Sequence, residues 1–398
     1  MNMNFKLAIL HSAFIESGGA ERVVLNQLKY LRLHGFKVDC YGAIIDHEKC
    51  FSDELKDLDI HPYLTNISLP KFQYSISLPL TILLSNFISQ KMKKKKYKVL
   101  LCHHQPSGWL GYKTWLNFKT PYICYVHHPP RFIYPRPVEA KLGWGHDLDR
   151  KILGFFGKHL RFVKEMDRLT ISNAKVVLAN SKKTLNEIKK IYKVDAVLCY
   201  PGVEIPNISP DQTSNKQRFL FVSSRHTPHK KLEWLLQIFK IILKDFDVPL
   251  VVAGAFHPTY TSKIKKTALK LGLNHKILFV NRIPNKMLNL YYKNAYVYLY
   301  PAPNEDFGLG PVEAMAHGVP VVVWDDNSGP AETVIDGVTG FKAKPYNLED
   351  FAQKTLKILV DEKLRNQMAK NAIKHAQANF SMNKHINQLK ELLYSISH

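Results

Sequence analysis

The sequence is short of cysteine, of acidic residues and of long apolar runs, and each shortage closes off a class of protein. Its five cysteines, Cys40, Cys50, Cys102, Cys124 and Cys199, are odd in number and scattered, with no Cys-x-x-Cys pair. That pattern argues against a disulfide framework or a zinc ribbon and for a reducing compartment. No run reaches the ~20 apolar residues that a bilayer span requires. The longest apolar stretch, Ile76 to Ile88, is interrupted by Ser77, Pro79, Ser85 and Asn86. The opening Met1-Asn2-Met3-Asn4-Phe5-Lys6 is too polar for a secretory leader, so Leu7-Ala8-Ile9-Leu10 reads as a first core strand. No repeat of solenoid spacing is present.

What is present is an ordinary globular composition with an unusual charge. Of the 398 residues 45% are hydrophobic and 22% charged, enough chain for two domains with full cores. Lys+Arg number 56 against 33 Asp+Glu, a net charge of +23. A field of that sign favours anionic partners, whether nucleotides, nucleic acid or acidic lipid.

Strand and helix patterns alternate along the chain. Strand Lys6 to Leu10, helix Ala20 to His34 and strand Lys37 to Tyr41 form a βαβ opening, with Gly18-Gly19 at the helix entry. In a doubly wound sheet that turn lies where ligands bind. The Ile76 to Ile88 helix runs into Lys91-Met92-Lys93-Lys94-Lys95-Lys96, which suits either a core helix with a solvated basic end or an anionic membrane surface. Strand Val99 to Cys102 ends at His103-His104 and strand Tyr122 to Val126 at His127-His128, so both histidine pairs are expected on one rim. Adjacent histidines chelate poorly and no acidic or cysteine ligand stands at metal spacing, so polar contacts to a sugar or phosphate fit better than zinc. A long helix, Trp144 to Ile171, precedes strand Lys175 to Ala179, helix Lys182 to Tyr192 and strand Ala196 to Cys199.

The Pro- and polar-rich passage 204–217 is the best linker, dividing a first domain, 1–203, from a second, 218–380. A final helix, 381–398, is expected to pack back on the first domain. The second domain repeats the alternation: strand Phe219 to Ser223, a loop carrying Arg225 and Lys230, strand Pro249 to Ala253, helix Ser262 to Leu271, strand Lys276 to Val280, helix Lys286 to Asn294 and strand Ala295 to Tyr300. An Arg fork and a Lys point charge on one loop make a diphosphate clamp; the structural alternative is a solvated basic turn.

Asn304-Glu305-Asp306-Phe307-Gly308-Leu309-Gly310-Pro311-Val312-Glu313 follows. Pro311 suits the first position of a helix ended by Gly318, which would make Glu313 its third residue. The amides of Phe307, Gly308 and Leu309 then sit at a helix N-terminus, a natural anion site. Glu305 and Glu313 frame it; read alone, Glu313 could serve the helix dipole and Glu305 could be a solvated loop acid. Asp57-Leu58-Asp59, Asp147-Leu148-Asp149 and Asp245-Phe246-Asp247 look like Asp-x-Asp metal motifs, but their contexts suit solvated charge.

The two glutamates with seven residues between them, the Phe307-Gly308 core, Ala314-Met315-Ala316-His317-Gly318, the five-residue spacing of Arg225 and Lys230, Pro201-Gly202-Val203 and Gly337-Val338-Thr339-Gly340-Phe341 together resemble the retaining family-4 glycosyltransferases. Gly18-Gly19-Ala20-Glu21-Arg22 is similar to the opening loop of mannosyltransferases that extend lipid-linked oligosaccharides. The resemblance covers both domains and is strongest in the second. It implies the GT-B fold, two doubly wound Rossmann-like α/β domains facing a central cleft. Arg225 and Lys230 would then hold the donor diphosphate with Gly18, Gly19 and the amides of Phe307, Gly308 and Leu309. Glu313 would bind the ribose, Glu305 the donor sugar, and His127 the transferred sugar, with His128 its neighbour in the same motif.

That assignment implies a hexose moved with retention, mannose from GDP-mannose the leading candidate, onto a lipid-linked oligosaccharide or surface-glycan precursor. It implies no metal or other cofactor and a cytoplasmic enzyme working at the membrane face, where the Ile76 to Lys98 stretch would meet an anionic membrane surface unless it is a core helix with a solvated basic end. A UDP-sugar transferase of the same fold is the nearer alternative, and an epimerase or inverting transferase would be separated from it by the product's anomeric form. A glycoside hydrolase would leave Arg225 and Lys230 without a task. A nucleic-acid-binding protein fits the charge but lacks any recognisable module, so no nucleic acid is expected.

Overall fold

The computed structural model describes residues 5–64, 73–136, 161–207 and 218–397. These fall into two compact units, the first running to Gly202 and resuming at His385, the second spanning Val203–Lys384. Residues 208–217 of the expected linker, 144–160 of the expected long helix, and the Asp147-Leu148-Asp149 triplet lie outside the described residues.

The first unit is built on β1 (Lys6–His11), α1 (Gly19–Leu33), β2 (Lys37–Gly42), α2 (Ser52–Asp57), β3 (Ile60–Pro62), α3 (Gln73–Lys94), β4 (Val99–His103), α4 (Ser107–Phe118), β5 (Tyr122–Val126), α5 (Arg161–Ser172), β6 (Val176–Ala179), α6 (Lys182–Tyr192) and β7 (Val197–Leu198). All strands are parallel, in the order β3-β2-β1-β4-β5-β6-β7. Leu7, Ala8, Ile9 and Leu10 are wholly buried, as a central parallel strand covered on both faces requires. Gly18 caps α1 in an extended conformation, so the helix starts at Gly19, one residue before the expected start.

The second unit comprises β8 (Leu220–Ser223), a 3₁₀ turn (Pro228–Lys230), α7 (Leu232–Asp245), β9 (Leu250–Ala253), α8 (Pro258–Lys270), β10 (Ile277–Val280), α9 (Asn285–Asn294), β11 (Val297–Tyr300), α10 (Leu309–Ala316), β12 (Val321–Trp324), α11 (Gly329–Thr333), β13 (Gly340–Ala343), α12 (Leu348–Val360) and α13 (Glu362–Phe380). Its sheet, again all parallel, runs β10-β9-β8-β11-β12-β13. Helix α8 begins four residues before the expected Ser262, because the His257 side chain accepts from the Tyr260 amide and Pro258 occupies the first turn. The chain after Phe341 is less purely helical than expected, since β13 extends the sheet beside β12.

The last helix, α14 (Met382–Ser397), leaves the second unit at Lys384 and contributes its remainder to the first. Ile386, Leu389 and Leu393 are completely buried there, and Gln388 donates to the Leu198 carbonyl at 2.7 Å. The unit boundary falls one residue before the expected one, because Val203 exchanges backbone bonds with Phe380 and Met382.

Candidate functional site

In a doubly wound sheet the crossover connections diverge at one pair of neighbouring strands, leaving a crevice beyond their carboxyl ends. In the second unit that pair is β8 and β11. The 3₁₀ turn bearing Lys230 follows β8, and the loop bearing Glu305 follows β11. The two side chains meet: the Lys230 ammonium donates to Glu305 Oε2. Tyr300, the last residue of β11, lies between them, its hydroxyl 3.0 Å from Lys230 Nζ and 3.3 Å from Glu305 Oε2. Burial, then the neighbouring Glu305 carboxylate, drives the Tyr300 phenol well above its ordinary pKa, while Arg225 opposes that rise. The phenol is therefore a permanent donor, and Arg225 lies close enough to feel it.

Glu313 is held apart from that group. Its Oε2 accepts from Tyr292 at 2.8 Å, and the Tyr292 hydroxyl is also 2.6 Å from Ser223 Oγ at the end of β8. Tyr298 completes the set, 3.0 Å from the same serine oxygen. Glu313 is the fifth residue of α10, where the third was expected. Gly308, at φ +79°, turns the chain so that the helix starts at Leu309, and Pro311 fits within the first turn because those amides lack intrahelical partners anyway. No side chain caps α10, leaving the Leu309 and Gly310 amides at a helix N-terminus flanked by the buried Phe307. The loop is pressed against α11: the Gly329 amide donates to the Glu305 carbonyl at 2.9 Å, and a Cβ at Gly329 would come within 2.3 Å of Asp306 O and Phe307 Cα.

In the first unit the diverging strands are β1 and β4. Beyond their ends, and that of β5, histidines gather. His103 Nδ1 and His127 Nε2 share a proton at 2.9 Å, and the His104 ring lies 4.7 Å from His127 and 4.9 Å from His128. His11, the last residue of β1, is 6.0 Å ring to ring from His104 and places Nε2 3.5 Å from the Glu21 carboxylate. Burial above all, then the neighbouring imidazoles, depresses His127 and His103 well below the usual histidine range, so both are neutral at pH 7. His128 is only half-buried and turns to the Pro129 carbonyl. Gly18 is buried and Gly19 exposed, their turn opening onto the uncapped N-terminus of α1.

Among the expected site residues, Lys230 is thus brought to Glu305, and both histidine pairs to one rim. Sequence reasoning missed Tyr300, Tyr292, Ser223 and His11. The alternation Tyr298-Leu299-Tyr300 in β11 carried a signal, since hydroxyls on one face of a buried strand call for partners, and Tyr298 and Tyr300 find theirs in Ser223 and Glu305. Among the described residues no cluster of histidine, cysteine or carboxylate has metal-binding geometry.

Residues 17–205 match the family model Glycosyltransferase Family 4, and residues 204–375 the model Glycosyl transferases group 1. The chain is 23% identical over 419 aligned residues to the alpha-1,3/1,6-mannosyltransferase ALG2 of Dictyostelium discoideum, with 94% of each chain covered. It is 24% identical to the O-antigen chain mannosyltransferase RfbU of Salmonella typhimurium, over 60% of this chain and 66% of that one. Among solved structures, Anabaena HepE in complex with UDP and glucose superposes with a TM-score of 0.74 at 19% identity, covering 98% of this chain and all of the other. With one model matching each half and a relative aligned along nearly the whole length, the chain belongs to the GT-B glycosyltransferases, a family 4 domain followed by a group 1 domain.

Proposed function

We propose that this glycosyltransferase moves a hexose with retention of configuration, mannose from GDP-mannose, to a lipid-linked oligosaccharide or surface-glycan precursor at the cytoplasmic membrane face. The observation that carries the reading is the Lys230, Tyr300 and Glu305 group at the β8/β11 crevice. Departure of a nucleoside diphosphate builds negative charge on its β-phosphate. Lys230, Arg225 and the amides of Phe307, Gly308 and Leu309 supply fixed positive charge and donors for it, which need no reorganisation as the bond breaks. Glu305 exchanges Lys230 for hydroxyls of the donor sugar, and Glu313, oriented by Tyr292, takes the ribose hydroxyls. In the first unit Gly18 and Gly19 offer amides to phosphate, and the neutral His127 hydrogen-bonds the transferred sugar. The departing phosphate accepts the acceptor's proton on the same face, giving retention, and no metal ion is needed.

Support for mannose comes from the mannosyltransferase relatives in Dictyostelium and Salmonella. A UDP-sugar donor is the second reading, favoured by the likeness to HepE bound to UDP and glucose, a likeness of fold. A thermal-shift panel of GDP- and UDP-sugars followed by turnover separates the two. GDP-mannose should stabilise and turn over, the product should be the α-anomer by NMR, and chelator should leave the rate unchanged. Glu305→Ala and Lys230→Ala should each lower turnover about a hundred- to a thousand-fold with the fold intact. Unchanged rates in both would overturn the site assignment.

A further inference from the structure

Helix α3 wears its polarity inside out. A helix on a soluble domain turns an apolar stripe inward and its polar residues to water. Here the inward face carries Ser77, Thr81, Ser85 and Ser89, all buried, beside Leu78, Ile88 and Met92. The outward face, at the i, i+3, i+4, i+7 spacing of a single stripe, is Leu80, Leu83, Leu84 and Phe87, with Leu83 76% and Phe87 57% exposed. The small inward residues let the helix seat closely: Ser85 and Ser89 return their hydroxyls to the carbonyls of Ile82 and Asn86, and Asn117 of α4 reaches Ser89 at 3.3 Å. The apolar stripe is therefore left over from folding.

The stripe runs directly into exposed lysines. Lys91 continues it, its ammonium 4.5 Å from the Phe87 ring, and Lys93, Lys94, Lys95 and Lys96 follow. Between Asp59 and Glu139 the sequence contains no acidic residue at all. Asp39 pairs with Lys6 and is felt by Lys95, at the far end of this run. Leu116 of α4 and Phe162 of α5 add exposed apolar surface on neighbouring helices.

We propose that the α3 face docks the enzyme on an anionic lipid bilayer: the stripe enters the headgroup boundary and the lysines engage lipid phosphates. Charge complementarity selects this occupant. An exposed leucine and phenylalanine stripe that runs into a row of exposed lysines matches a bilayer, which presents apolar depth under a negative surface. Among the described residues no helix is long and apolar enough to cross a membrane, so α3 lies along the surface. The inference stands on this helix and supplies the membrane that the proposed lipid-linked acceptor calls for.

Vesicle sedimentation of the full chain tests it. The protein should bind phosphatidylcholine vesicles containing phosphatidylglycerol and be released by high salt. K91Q/K93Q/K94Q should bind them about a hundred-fold more weakly, at about five-fold per lysine, while K91R/K93R/K94R retains binding. L83S/F87S should lose binding with an unchanged melting temperature. Failure of the wild type to bind, full binding by either disabled variant, or a dimer that L83S/F87S splits into monomers would overturn the proposal. Donor hydrolysis in solution should be unaffected by these variants, and vesicle binding by Glu305→Ala, so that failure of the transfer reading and failure of this one are distinguishable.

Discussion

Tyr292 shows how much of this site rests on residues outside the motif. Its hydroxyl joins Glu313 to Ser223 from a side chain that is fully buried. Tyr292→Phe takes a donor from the half-buried Glu313 carboxylate while Ser223 keeps Tyr298, which should lower stability by about 1 kcal/mol. If Tyr292 positions Glu313, the donor KM should rise more than kcat falls; equal loss in a distant-site control such as Tyr260→Phe would point to general destabilisation instead. The histidines give a second residue-scale expectation. His226 and His385 are pushed down to about 4, chiefly by burial, from an ordinary value of 6.5. His103 and His127 shift the same way. Between those values the unfolded chain binds protons that the folded one refuses, so stability rises with pH. On acidification below 6.5 it should fall by at most about 1.4 kcal/mol per pH unit for each histidine until the folded group itself titrates. Melting temperatures between pH 7.5 and 4.5 check the sign, and a flat profile contradicts it.

At the scale of elements, the loop from Asn304 to Gly308 depends on two glycines for different reasons. Gly308 needs a left-handed backbone to open α10, whereas Gly329 is small because the Asp306 and Phe307 backbone lies against it. Gly329→Ala would force one backbone off the other, costing about 1–3 kcal/mol and moving the amides of the N-terminal turn. Differential scanning calorimetry should show the loss of stability, and donor titration a weakened affinity; a wild-type donor affinity would show that the loop tolerates the shift. The strands and most helices were readable because a period of 3.6 or a continuous apolar run is local. Helices α2 and α4 and strands β3 and β13 were missed because short or small-residue segments carry little period. The start of α10 was misplaced because Pro311 fits any position of a first turn, and only Gly308's φ chooses among them.

For the whole molecule the telling feature is α14, which closes the chain by filling the first unit. Leu389 is wholly buried there, so Leu389→Ala should destabilise by about 2–5 kcal/mol. The loss should appear in hydrogen exchange of β1 and β4, while the second unit's amides keep their protection; equal loss in both units would contradict that placement.

What the sequence determined by itself was the α/β alternation, the approximate division near Gly202, and the motif residues Arg225, Lys230, Glu305, Gly308 and Glu313, because turn chemistry and periodicity are written over a few adjacent residues. Only the tertiary structure decided that Lys230 meets Glu305 across 75 positions with Tyr300 between them, that Tyr292 holds Glu313, and that His11 joins the two histidine pairs. Those pairings follow from strand order, which places β8 beside β11 and β1 beside β4, and strand order is not a local property. The same holds for α3. Its sequence shows both a serine row and a leucine row, and only packing against α4 decides which of them is left facing out.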